Sequence, residues 1–204
     1  MDIKWIFFDV GSTLVDETKA YDHRAKEMLQ NTNITFDEFD NKRIEFAKLG
    51  YDGNSQAIKY FQLEKTPWPS SMEVPFADVA NTLETLKKRG YNLGIIANQE
   101  LGTKDRLQQQ GILQYIDLVI ASAEEGVAKP DEKIFKIALQ RAACKSDNAI
   151  MIGDRIDNDI IPAKKLGFHT IWIKQGFGQY WNITKEEETP DYTVCSLSEL
   201  CDIL

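Results

Sequence analysis

Five apolar runs, none longer than a single β-strand, sit at residues 3–8, 93–97, 118–121, 149–152 and 170–173, and they set the terms for the whole chain. Apart from Lys4 they carry no charge. A half-exposed strand alternates apolar and polar side chains, whereas an unbroken apolar run belongs to a strand covered on both faces, as in a parallel sheet. Helical stretches at 77–89, 104–110, 131–143 and 159–166 lie between or beside these runs. Three of them stop at Gly90, Gly111 and Gly167, and glycine just past a helix takes the left-handed conformation without a Cβ clash. Strand–helix alternation of this kind predicts an α/β fold, a doubly wound parallel sheet of Rossmann-like type.

The alternation is interrupted once. Between the first strand and residue 77 lie about sixty residues, too many for a structureless loop in a compact domain. Apolar residues three or four apart, such as Phe39, Ile44, Phe46 and Ala47, predict helices over 18–30, 36–49 and 55–63. Pro67-Trp68-Pro69 suits a stiff return segment, and the tail reads as an edge strand over 192–195 and a closing helix over 197–204.

The 204-residue chain is long enough for a sizeable core. No run reaches the length of a membrane span, and Met1-Asp2-Ile3-Lys4 leads straight into the first strand without room for a signal peptide; a cytoplasmic protein is expected. The net charge of −8 argues against a nucleic-acid backbone as partner. Cys144, Cys195 and Cys201 match no zinc or redox spacing and read as reduced structural thiols. Glu186-Glu187-Glu188 reads as a solvated run, and neither His23 nor His169 is assigned a role.

Chemistry-bearing residues gather where the strands end. Asp9 follows the first run and opens Asp9-Val10-Gly11-Ser12-Thr13; Lys129-Pro130 follows the third; Gly153-Asp154-Arg155-Ile156-Asp157-Asn158-Asp159 follows the fourth. In an open α/β sheet the carboxyl ends of the strands form the binding crevice, so all three can converge. Each has a plainer reading alone. Asp before a Gly-Ser turn is an ordinary turn former, Pro130 can open a helix, and Asn158 or Asp159 can cap the helix that follows. Asp154, directly after Gly153, is in no position that needs a cap. Arg155 and Asp157 fit either the mouth of the crevice or a surface pair.

In this order the motifs resemble those of the haloacid dehalogenase-like hydrolase superfamily, and the resemblance spans nearly the whole chain. It implies a phosphatase-like core of residues 1–15 and 77–204 with a helical cap inserted at 16–76, hinged near Val15-Asp16 and the 67–75 segment. It implies Asp9 as nucleophile and Lys129 as the cation that neutralises phosphate, with Ser12, Thr13 and Asn98 as further substrate donors. It also implies a Mg²⁺ site from Asp9, the Gly11 carbonyl and Asp154, supported by Asn158 and Asp159. Oxygen-only donors of this kind suit Mg²⁺. The partner it implies is a small phosphorylated metabolite, neither nucleic acid nor membrane.

Two positions depart from the pattern. Gly11 stands where phosphatases of the superfamily carry a second aspartate, and Ala97 stands where many carry Ser or Thr. General acid–base help is worth about 10²- to 10⁴-fold, so Gly11 leaves three readings open within phosphatase chemistry: a slow enzyme, a substrate that departs without a proton, or an acid borrowed from Asp16 or elsewhere in the cap. Metal-independent dehalogenases and phosphonate-cleaving enzymes also lack that aspartate, and a nonenzymatic binder of phosphometabolites is a further alternative. Dehalogenases typically lack the counterpart of Asp154, whose presence here favours phosphoryl chemistry.

Overall fold

The computed structural model describes residues 2–204. Strands β1 (Trp5–Phe8) and β2 (Val15–Asp16) precede helices α1 (Thr18–Leu29), α2 (Phe36–Lys48) and α3 (Gly53–Tyr60). Then come β3 (Val74–Pro75), α4 (Val79–Lys88), β4 (Asn92–Ala97), α5 (Thr103–Gln109), β5 (Leu118–Ala121), α6 (Ser122–Glu125) and α7 (Glu132–Arg141). The chain closes with β6 (Ala149–Gly153), α8 (Ile161–Lys165), β7 (His169–Ile173), β8 (Tyr192–Val194) and α9 (Leu200–Ile203). Six strands form one parallel sheet in the order β5-β4-β1-β6-β7-β8. The five apolar runs are β1, β4, β5, β6 and β7, with β5 at one edge, and the tail supplies β8 at the other.

Both faces of the sheet are covered, as the unbroken apolar runs require. Ile6, Phe8, Ile95, Ile150 and Ile152 point into one fully buried cluster. Phe7, Ile96, Ile120 and Met151 point into another on the opposite face, where Phe135 and Ala138 of α7 meet them. Alternation by two along β1 therefore separates the two cores. Helices α1–α3 have a smaller core of their own, built from Ala25, Met28, Leu29, Phe39, Ala57 and Ile58. The chain leaves for these helices through β2 and returns through β3, which pair antiparallel with Val15 opposite Pro75 and Asp16 opposite Val74.

Three local expectations are corrected. The helix read over 159–166 begins as a π-helical turn, Ile156–Ile160, and only then becomes α8. Pro162 has no N–H for the carbonyl four residues back, so a regular helix cannot start at residue 159. Pro130 does not open α7: Asp131 is the N-cap, its side chain accepting the Lys133 N–H at 2.8 Å, and the helix starts at Glu132. The 186–188 run is not wholly solvated. Glu188 is buried, and its Oε2 accepts the backbone N–H groups of Thr184 (2.8 Å) and Lys185 (3.2 Å).

Among the described residues no helix is long and apolar enough to cross a membrane. The three cysteines are free thiols.

Candidate active site

The strand ends converge. Asp9 follows β1, its N–H donating to the Ile152 carbonyl of the neighbouring β6 at 2.9 Å, and Asp154 follows β6 itself. The Lys129 ammonium, almost wholly buried, donates to Asp9 Oδ1 at 2.7 Å and to Asp159 Oδ1 at 2.6 Å. Carboxylate oxygens of Asp9, Asp154 and Asp159 lie within 4.8 Å of one another. Asp159 enters this cluster because β6 ends in glycine. A Cβ at Gly153 would stand 2.2 Å from Asp159 Oδ2, nearer than real atoms approach. The same oxygen accepts the Arg155 N–H at 3.0 Å. Asp159 therefore faces inward and does not cap the helix after it.

Burial raises the cost of so much negative charge. Burial first, then the Asp159 and Asp9 carboxylates, push the Asp154 carboxyl well above the usual carboxylate range. Burial lifts Asp159 to about 6, with the Lys129 charge opposing the rise and the Asp9 carboxylate adding to it. At Lys129 burial disfavours the charged form, but the facing Asp159 and Asp9 outweigh it and the net shift is upward. The cluster thus holds three carboxyl groups and one ammonium, which pairs with Asp9 and Asp159 only, a surplus of acid that a divalent cation on oxygen donors would balance.

The remaining expected residues divide. Gly11, Ser12, Asn98 and Asn158 line a chamber of about 160 Å³ together with Asp9, Lys129, Asp154 and Asp159. Asn98 acts on Lys129 more than on the chamber: its amide donates to the Lys129 carbonyl at 2.9 Å and its carbonyl accepts the Lys129 N–H at 2.7 Å. Thr13 does not reach the chamber. It is fully buried, with its hydroxyl unpartnered, because the loop turns at Ser12 (φ 53°) and carries Thr13 beneath it. Asp16 is also directed elsewhere, accepting the Thr18 N–H at 2.9 Å at the start of α1. Arg155 pairs with Asp157 and reaches across to Asp52, 3.2 Å away, before α3.

Glu17, Tyr21 and Gln99, which line the inner chamber, escaped the sequence reading. Glu17 and Tyr21 line the inner chamber and also a second one of about 280 Å³, which Arg24, Asp52, Ser55, Trp68, Glu73 and Arg106 help to enclose. Ser12 Oγ donates to Glu17 Oε2 at 3.2 Å. Burial, then the charges of Asp9 and Glu73, raise the Glu17 carboxyl to about 8. No strand pattern pointed to Glu17, which lies past the end of β2 in the turn into α1.

A largely shielded aspartate after β1, clamped by a lysine and joined by two further acids after β6, is an arrangement suited to a hydrolase. Residues 6–173 match the model of the haloacid dehalogenase-like hydrolases, and the chain belongs to that family. It is similar to a glyceraldehyde 3-phosphate phosphatase of Methanocaldococcus jannaschii, 38% identical over 99% of this chain and 97% of the relative. A second glyceraldehyde 3-phosphate phosphatase, from Pyrococcus furiosus, is 32% identical over 99% of this chain and 93% of the relative. In fold it is similar to a predicted phosphoglycolate phosphatase of Haemophilus somnus, with a TM-score of 0.76, 20% identity and 100% and 98% of the two chains covered. Such relatives place the chain among phosphatase-type hydrolases.

Proposed function

We propose that this chain is a Mg²⁺-dependent phosphatase of a small phosphorylated metabolite, working in two steps through an aspartyl phosphate on Asp9. The observation that carries the reading is the Asp9–Lys129–Asp159 cluster with Asp154 beside it, at the floor of a chamber large enough for a phosphate group. The phosphatases among its relatives support the substrate class. Residues 16–76 are proposed to act as a cap over this floor, with β2 and β3 as the double strand on which it is carried.

Asp9, Asp154 and the Gly11 carbonyl would hold Mg²⁺, with Asp159 and Asn158 behind them. When bound, the ion supplies charge to the phosphoryl oxygens and balances the buried carboxylates. The chain's own groups do the rest. Asp9 presents one oxygen to phosphorus while its other, Oδ1, is held by Lys129, so the nucleophile is oriented before substrate arrives. Lys129 offers its positive charge to the transferring group, while Ser12 lines the same wall with its N–H given to the Val15 carbonyl and its hydroxyl to Glu17. Splitting hydrolysis into attack by Asp9 and later attack by water replaces one hard step with two easier ones.

Retention of Asp154 in the chamber supports phosphoryl transfer over metal-independent dehalogenation. The test is a panel of phosphorylated metabolites, aryl phosphates and haloacids assayed with and without Mg²⁺. Phosphate release that requires Mg²⁺ and disappears in Asp154→Asn is the expected result. Halide release without metal would replace this reading with the dehalogenase one.

A further inference from the structure

We propose that Glu17 is the proton donor to the leaving group and the base that activates water in the second step; the proposal rests on the phosphatase reading and deepens it.

The argument is one of position. The phosphoryl group must reach Asp9 on the floor of the inner chamber, so the rest of the substrate extends into the outer one. The bond that breaks lies at the boundary. Among the described residues Glu17 is the one carboxyl group that lines both chambers: Asp9, Asp154 and Asp159 belong to the inner alone, and Asp52, Glu73 and Glu100 to the outer alone. An alkoxide leaving group must be protonated as it departs, and a carboxylic acid at this boundary can do it.

The local packing reads the same way. A Cβ built on Gly11 would stand 2.6 Å from Glu17 Oε1, 2.7 Å from Oε2 and 2.8 Å from the carboxyl carbon. Gly11 does not sit in a left-handed conformation, so its backbone does not demand glycine. The Glu17 carboxyl fills the place a side chain would take, so any side chain at position 11 would have to displace it. The group is held there by the Ser12 hydroxyl at 3.2 Å. Although Glu17 is the residue before α1, its side chain makes no capping bond. A carboxyl that could have capped a helix is instead turned toward the nucleophile's loop.

The steps balance. In the first, an Asp9 oxygen bonds to phosphorus, the bond from phosphorus to the leaving oxygen breaks with its electron pair going to that oxygen, and the Glu17 carboxyl gives its proton to it. The products are an alcohol, the aspartyl phosphate and the Glu17 carboxylate. In the second, that carboxylate takes a proton from water as the water oxygen bonds to phosphorus. The bond to Asp9 breaks, returning the Asp9 carboxylate, free phosphate and protonated Glu17.

The experiment uses the full chain with Mg²⁺ and two substrates, 4-nitrophenyl phosphate, whose leaving group needs little protonation, and a simple alkyl phosphate, whose leaving group needs it fully. Glu17→Gln keeps the shape and removes the proton. It should lose about 10²- to 10⁴-fold in kcat/KM on the alkyl phosphate and far less on the aryl one. With the aryl substrate it should release one equivalent of nitrophenolate in a burst and then stall, because clearance of the intermediate has lost its base. A second variant, Gly11→Asp combined with Glu17→Ala, fills the vacated space with a carboxyl and should recover part of the alkyl activity. Equal losses on both substrates, or no burst, overturn the role of Glu17. So does a selective alkyl loss in Tyr21→Phe that Glu17→Gln fails to show. Asp9→Asn separates this proposal from the one beneath it: if that variant turns over the aryl phosphate at the wild-type rate, the covalent phosphatase reading itself is what has failed.

Discussion

The inner and outer chambers share a wall but are built in opposite ways. The inner one is set by strand ends, with Asp9, Asp154, Asp159 and Lys129 largely shielded from water and Asp9, Asp159 and Lys129 fixed by one another or by backbone. The outer one is assembled from α1, the segments around α3 and the return strand, and the loop after β4. Its contacts are of a looser kind: Arg24 stacked over the Trp68 ring at 5.7 Å, Tyr21 edge-on to Trp68, and the Trp68 Nε1–H bonded to Glu73. Chemistry that must be the same in every turnover belongs on rigid strand ends, and recognition that differs between relatives belongs on helices and loops.

Substitutions can break that contrast, and the largest effect is expected on the inner floor. Asp9→Asn should remove turnover by roughly 10⁴- to 10⁶-fold, the scale seen when one member of a catalytic unit is lost, with melting temperature and Mg²⁺-free fold retained; steady-state assays beside thermal melts check both halves. Lys129→Met should cost stability as well as rate. It strands Asp9 and Asp159 without their cation, and breaking a buried pair from one side typically costs about 3–5 kcal/mol. Denaturant unfolding measures it, and Lys129→Met with Asp159→Asn should recover part of the loss.

Outer-chamber changes should be smaller and of a different kind. Trp68→Ala is expected to raise KM by roughly 10- to 200-fold, the range for a lost apolar contact in a pocket, by unequal factors for different phosphorylated substrates, while kcat for the aryl phosphate changes little. An equal fall in kcat for all substrates would place Trp68 in the chemistry and dissolve the contrast between the chambers. A weaker effect concerns pH. Glu17, raised to about 8 by burial and by Asp9 and Glu73, keeps in the folded state a proton that the unfolded chain releases near 4.5. The folded state binds more protons between those values, so the melting temperature of chelator-treated protein should fall as pH rises through that window. Glu17→Gln should flatten the slope. The smallest effect is expected for Asp52→Asn, which removes the partly exposed pair with Arg155 and should change stability by about 0–1 kcal/mol.

The same contrast explains what the sequence disclosed. Asp9 and Asp154 directly follow adjacent strands, so the sheet brings them together, and Lys129 and Asp159 follow later in the loops at the same end of the sheet. Gly153 announced a close approach without saying that Asp159 was the group approaching. Thr13 looked equivalent to Ser12 because both follow Gly11, and only the turn at Ser12 separates a chamber wall from a buried hydroxyl. Glu17 was hidden by its neighbour. Asp16 is the nearer acid to Gly11 along the chain, and only the turn from β2 into α1, where Asp16 takes the Thr18 N–H, leaves Glu17 as the acid that enters the chamber. Positions in the outer chamber stayed illegible, because helical periodicity tells which face is buried and not what the other face meets.

The double grip of Asn98 on the backbone of Lys129 has a consequence for how tightly substrate can bind. A free lysine side chain gives up about 2 kcal/mol of rotamer entropy when it is fixed in one pose. Here its main chain is locked to the end of β4 and its ammonium to two carboxylates, so that loss falls on folding, once, before any phosphate arrives. Binding then has no lysine to immobilise. Asn98→Ala would release the main-chain part of this grip while the two carboxylates still hold the ammonium, returning part of the loss to each encounter and modestly weakening affinity for inorganic phosphate.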